Sequence, residues 1–214
     1  TEVVLYGFSA ATYPWTAMLV SEEKGVEYRI EQADHRSDAY RETRHPYNKM
    51  PAMQHGDLKL YESSAIARYI DAAVDGPALQ PAGAVALARM EQWISIIKAY
   101  VYEDMVPGYI LQYLQPRGAG GQPDRAAIEA AVPKIKRHLG LIEAGIDAGP
   151  YVVGKTLTLA DLFMGPLLHY MDFAPELGDY PAAFPRIARF LAAMRGRPAF
   201  QATMPKEPEY AKAA

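Results

Sequence analysis

Strand-type patterning is confined to the first third of this chain, and everything after it reads as helix. Residues 2–7 (EVVLYG) form a short apolar run closed by glycine, the mark of a buried strand. Pro14 suits a first helical position, because its missing N–H would be unpaired there anyway. The helix it opens should stop at Gly25, a residue that accepts the left-handed cap conformation. "VEYRIEQA" (26–33) alternates apolar and polar like a second strand, and "ADHRSDAYRETRHPYN" (33–48) is polar and holds a short helix. "MPAMQHGDLKLYES" (50–63) reads as a hairpin turning at HGD. "SSAIARYIDAAV" (63–74) places Ala65, Ile66, Tyr69 and Ile70 on one helical face. The order β-α-β-α-β-β-α predicts a small α/β domain over residues 1–76.

"VDGPALQPAGA" (74–84) carries two prolines and two glycines, which places a linker at residues 77–87. Residues 88–214 should then form a larger all-α domain. Met90, Trp93, Ile97 and Tyr100 recur at helical spacing, as do Ile128, Val132, Ile135, Leu139 and Ile142. Before "LADLFMGPLLHYM", Thr158 and Asp161 have the spacing of a capping box, with Leu157 and Leu162 placed as a hydrophobic staple. "AFPRIARFLAAMRGRP" (183–198) is a further amphipathic helix stopped by glycine and proline.

Composition narrows the chemistry. The 214 residues include no cysteine, which removes disulfides, thiolate metal sites and a cysteine nucleophile together. A formal net charge of −3 without a Lys/Arg run gives no support to nucleic-acid binding. No stretch has the apolar length of a membrane span, so a cytoplasmic protein is the expectation. The five histidines share no metal-ligand spacing, and neither paired carboxylates nor a phosphate loop is present, so no metal is expected.

"HPYNKMPAMQHGDLKLYESSAIARYI" (45–70) and "GKTLTLADLFMGPLLHYM" (154–171), on either side of the linker, resemble the two signature segments of the soluble glutathione transferases, phi-like members above all. The likeness covers nearly the whole chain. It implies a thioredoxin-like N-terminal domain followed by an all-helical one, glutathione as co-substrate, and a homodimer. By that resemblance, Glu62 and Ser63 hold the γ-glutamyl end of the peptide and Lys49 its glycyl carboxylate. The Met50 backbone, before a cis Pro51, pairs with the cysteinyl part. Arg36 lies where many such proteins carry a histidine on the glycyl carboxylate. From the residues alone, Ser63 is equally an N-cap, and its hydroxyl with the first helical N–H groups forms an anion pocket.

Glutathione transfer requires a thiolate, and a thiol of pKa near 8.5 is only a few per cent ionised at neutral pH. Lowering that value by about two units needs about 2.7 kcal/mol of preferential thiolate stabilisation. A helix N-terminus contributes about 0.3–2 kcal/mol and one hydrogen bond to a charged group about 1.5–3 kcal/mol, so one hydroxyl at the strand-to-helix junction suffices. In phi-like proteins that hydroxyl is a serine four residues after the glycine ending the first strand; here Ala11 stands there. Thr12 is the nearest hydroxyl and doubles as an N-cap candidate, Tyr13 is second and Ser9 third. The hydrophobic second substrate is expected against this junction and the first long helix of the second domain, with Trp15, Tyr100, Tyr102 and Tyr109 as lining. Two functions remain open: conjugation of glutathione to a hydrophobic electrophile, or a non-catalytic ligand-binding protein that has lost thiol activation.

Overall fold

The computed structural model describes residues 2–116 and 118–205. These divide into two compact units, residues 2–83 with Arg195–Pro205, and Ala84–Met194. The predicted helical domain's last residues, 206–214, lie outside the described residues.

In the first unit, β1 (Val3–Tyr6) is buried along its whole length, as expected of an all-apolar strand at a sheet centre. It pairs parallel with β2 (Tyr28–Glu31) through the crossover helix α1 (Thr12–Lys24). The short helix α2 (Asp38–Thr43) follows, and then the hairpin β3 (Ala52–His55) and β4 (Leu58–Tyr61) turns at Gly56 and Asp57. β3 lies antiparallel to β1 with Tyr6 opposite Ala52, so the sheet order is β2-β1-β3-β4. Helix α3 (Ser63–Ala73) packs beside α1. Gly25 closes α1 in the left-handed conformation (φ 65°), where its N–H bonds to the Glu22 carbonyl. The C-terminal turns of α1 and α3 are joined by a buried ion pair, Lys24 Nζ to Asp71 Oδ1 at 3.2 Å. Asp71 also accepts from the Leu79 and Gln80 N–H groups, which ties down the chain leaving this unit.

In the second unit, α4 (Ala84–Ile96) runs into a π-helical stretch at Ile97–Val101, then α5 (Tyr102–Met105), a second π stretch at Val106–Ile110, and α6 (Leu111–Leu114). Its buried stripe is Met90, Ile94, Ile97, Val101 and Met105. Tyr100 therefore falls off the face predicted for it and is 64% exposed. Helix α7 (Arg125–Gly145) is capped by the Asp124 carboxylate, which accepts from the Ala127 N–H at 3.1 Å. It buries Ile128, Ala131, Ile135, Leu139 and Ile142, and Val132 is only half-buried because Ala131 holds the inward place.

Helix α8 (Leu159–Met171) is buried at every residue and forms the unit's axis. It opens with the capping box read from sequence. Asp161 accepts from the Thr158 N–H at 2.6 Å and the Val152 N–H at 2.7 Å, and its full burial pushes its pKa up to about 6. Helices α9 (Tyr180–Ala183) and α10 (Pro185–Arg195) follow.

The last helix, α11 (Pro198–Thr203), was expected in the helical domain but belongs to the first unit. Its Thr203 accepts a hydrogen bond from the Trp15 indole N–H at 2.8 Å, Phe200 packs on the Trp15 ring at 4.9 Å, and Arg197 forms a two-pronged ion pair with Glu23.

Candidate functional site

The site residues of the first unit gather where three segments meet: the β1–α1 junction, the loops flanking α2, and the β4–α3 corner. Gly7 makes the first approach possible. A Cβ there would sit 2.9 Å from Pro14 Cγ and 3.4 Å from Met50 Cβ, so a glycine lets the junction lie against the loop before β3. The chain then turns, with the Ala11 N–H donating to the Phe8 carbonyl at 2.9 Å.

The cap of α1 differs from the expectation. Ala11, in extended conformation, occupies the N-cap without any side-chain bond, and Thr12 is the first helical residue. Thr12 is buried, Ser9 exposed, and Tyr13 half-buried with its hydroxyl shielded from solvent. The Trp15 N–H is taken by the Ala11 carbonyl and Pro14 has none, so the Thr12 and Tyr13 N–H groups are those the helix end turns outward.

The second segment carries Arg36 and Lys49, both exposed. Ser37 caps α2 through its hydroxyl, which accepts from the Tyr40 N–H. The Tyr40 hydroxyl in turn donates to the Lys49 carbonyl at 2.9 Å, and Asn48 Nδ2 donates to the Arg36 carbonyl at 3.4 Å. Two loops that sequence order separates are thereby held side by side, bringing two cations to one edge of the unit. His35 lies beside them with its ring edge toward Phe8 at 6.1 Å. Burial lowers its pKa, and the Arg36 and Lys49 charges lower it further, against Asp34. The Met50–Pro51 peptide bond is cis.

The third segment is the corner. Glu62, not Ser63, is the N-cap of α3, with φ 73° and ψ 115°. A positive φ at a non-glycine residue costs about 1–3 kcal/mol and marks a place that its surroundings hold. Ser63 is the first helical residue and is 4% exposed. The Ile66 N–H bonds to the Glu62 carbonyl, and the N–H groups of Ser63, Ser64 and Ala65 have no acceptor within the helix. No acidic residue lies in the first turn of α3, so the dipole of this helix end favours a nearby anion.

The four expected lining aromatics separate. Trp15 is fully buried in the first unit's core against Phe200, a packing residue rather than part of a cavity wall. Tyr109 is fully buried in the second unit, its hydroxyl donating to Glu176, which also accepts from Tyr113 and Arg125. Tyr102 is half-buried, and burial raises its pKa. Tyr100 lines a cavity of about 770 Å³ within the helical unit, with Trp93, Ile96 and Leu141 as apolar wall and Arg89, Arg137 and His138 as polar rim. Among the described residues, no cluster of His, Asp or Glu has the makings of a metal site, and no helix is long and apolar enough to cross a membrane.

Sequence reasoning missed Tyr40, Asn48 and His45 as residues of this site. All three stand in or beside the "HPYNKMP" segment, but their contacts join positions that no local pattern connects.

A four-stranded sheet of this topology, with helices starting after β1 and β4, a cis-proline just before β3 and a helical unit after it, defines a two-unit, thioredoxin-like class of protein. Known proteins agree. The family model for the glutathione S-transferase N-terminal domain matches residues 1–72, and that for the C-terminal domain matches residues 125–193. Glutathione S-transferase 3 of Zea mays is 31% identical over 206 residues, spanning 94% of this chain and 92% of the relative. The apo structure of glutathione S-transferase III superposes with a TM-score of 0.81 at 29% identity, covering 97% of this chain and 100% of that one. The theta class glutathione S-transferase from Xanthomonas axonopodis pv. citri, solved with glutathione bound, gives a TM-score of 0.82 at 25% identity, covering 96% and 98%. The chain belongs to the glutathione S-transferase family, among its phi-like members.

Proposed function

We propose that this protein is a glutathione transferase, which binds glutathione in its first unit and directs the thiolate at an electrophilic carbon of a hydrophobic small molecule. The observation that carries the reading is the Glu62–Ser63 corner. There an N-terminus without acidic residues, a buried serine and a carboxylate held at positive φ offer complementary charges to the zwitterionic γ-glutamyl end of the peptide. Lys49 and Arg36 supply cations for the glycyl carboxylate, and the Met50 backbone pairs with the cysteinyl part. The sulfur then lies at the start of α1, where the outward Thr12 and Tyr13 N–H groups and the helix dipole favour the anion. Of the hydroxyls, Thr12 is the first candidate for hydrogen bonding to sulfur, ahead of Tyr13 and Ser9. A cytoplasmic homodimer is the form we assign to it.

The test is a pH titration of bound glutathione, following the ultraviolet absorbance of the thiolate. The transferase reading expects an ionisation clearly below that of free glutathione, together with turnover of a model electrophile. Glutathione that binds but titrates as in water, with no turnover, would replace it with a ligand-binding protein in which Ala11 marks lost activation.

A further inference from the structure

Resting on the glutathione reading of the Glu62–Ser63 corner, we infer that His45 is a positioning residue for the γ-glutamyl end: its imidazole Nε2–H orients the Glu62 carboxylate, while its backbone clamps the loop that carries Lys49. His45 is 1% exposed. Its N–H donates to the Tyr40 carbonyl at 3.1 Å, and its carbonyl accepts from the N–H of Asn48, itself at positive φ, at 2.9 Å. The ring fixes its own tautomer. Nδ1 accepts from the Tyr47 N–H at 3.3 Å, so the proton of the neutral ring resides on Nε2. That nitrogen lies 3.8 Å from Glu62 Oε1, an ion–dipole contact, and the ring packs on Tyr61, the residue before Glu62, at 4.9 Å. One side chain thus bridges the two halves of the peptide site.

The charge state gives the arrangement its use. Burial, the largest influence, lowers the His45 pKa; Lys49 lowers it and Glu62 opposes. A neutral donor orients the Glu62 carboxylate without cancelling its charge, which is left for the ammonium of the peptide.

The experiment compares His45→Phe, which keeps a ring on Tyr61 but has no N–H, with His45→Gln, which keeps a donor. Loss of one polar contact to a carboxylate should raise KM for glutathione about 10-fold in the Phe variant with kcat little changed, while the Gln variant recovers most of the loss. The loss should shrink for glutaryl-cysteinyl-glycine, which lacks the ammonium. A Phe variant that binds glutathione like wild type, or a Gln variant equally impaired, overturns the proposal in favour of packing alone. Should the Phe variant fold poorly, acidification makes the same test. Below the ordinary histidine value of 6.5, protonated His45 pairs with Glu62 and competes with the ammonium, so wild-type affinity falls with pH and the Gln variant's falls less. His35, facing Arg36, Asp34 and Lys49, titrates in both proteins and cancels. Identical pH profiles overturn the proposal. Wild type that fails to bind glutathione at all brings down the transferase reading first, and the His45 role with it.

Discussion

The two helices that pack together in the first unit begin in opposite ways. Helix α1 starts at Ala11 in ordinary extended backbone, with no side-chain cap and a buried threonine at its first position. Helix α3 starts at Glu62 with positive φ, with a buried serine at its first position and His45 against its cap. Both ends have a buried hydroxyl residue at their first position, yet only the second adds a residue at positive φ and a charge. A helix dipole contributes about 0.3–1 kcal/mol at an exposed end. What distinguishes a built receptor from a bare helix end is the set of groups the fold holds in place around it.

The comparison is broken most severely at the far ends of the same helices. Asp71→Asn leaves Lys24 buried without its counter-charge, and loss of one partner of a buried pair costs about 3–5 kcal/mol; urea unfolding should report it. In wild type, the Leu79 N–H, Gln80 and Lys24 outweigh burial and hold the Asp71 carboxyl below its ordinary 3.8. A depressed carboxyl contributes stability that is present above its unfolded value and lost as pH falls through the folded one. Acid unfolding of wild type should therefore steepen below 3.8, and the Asn variant should lack that component. Next in size, Ser63→Ala removes one hydroxyl from a charged ligand. Glutathione affinity should weaken by about 1.5–3 kcal/mol in calorimetry, with the melting temperature little changed. The smallest change sharpens the contrast by making α1 resemble α3. Ala11→Ser supplies an N-cap worth about 1 kcal/mol of stability. It also adds a hydroxyl where phi-like proteins place their activating serine, so the bound thiol should titrate lower by about one unit in ultraviolet absorbance. An unchanged thiol would mean that Thr12 or Tyr13 already saturates the sulfur.

Most of the strand and helix order was legible because it rests on local patterns: the apolar run of β1, the HGD turn, the Gly25 stop and the Thr158–Asp161 box. The site was legible through its signature segments, which named Lys49, Met50, Pro51, Glu62 and Ser63. What escaped depends on distant partners. Trp15 was expected against a substrate from its place at the β1–α1 junction, and the residue that accepts its N–H lies 188 positions away. The cap of α3 shifted by one residue because a positive φ at a glutamate has no compositional sign. Tyr100 missed the buried face because helical spacing from Met90 runs equally through Ile94, Ile97 and Val101, and packing took that stripe.

The return of α11 to the first unit sets an order of events during synthesis. Trp15 leaves the ribosome well before Phe200 and Thr203, which pack against it. The first unit therefore waits for the intervening helical unit to be made before its core closes, and a nascent chain stalled before α11 carries an uncovered indole. For this protein, the first unit cannot finish folding before the second has been synthesised.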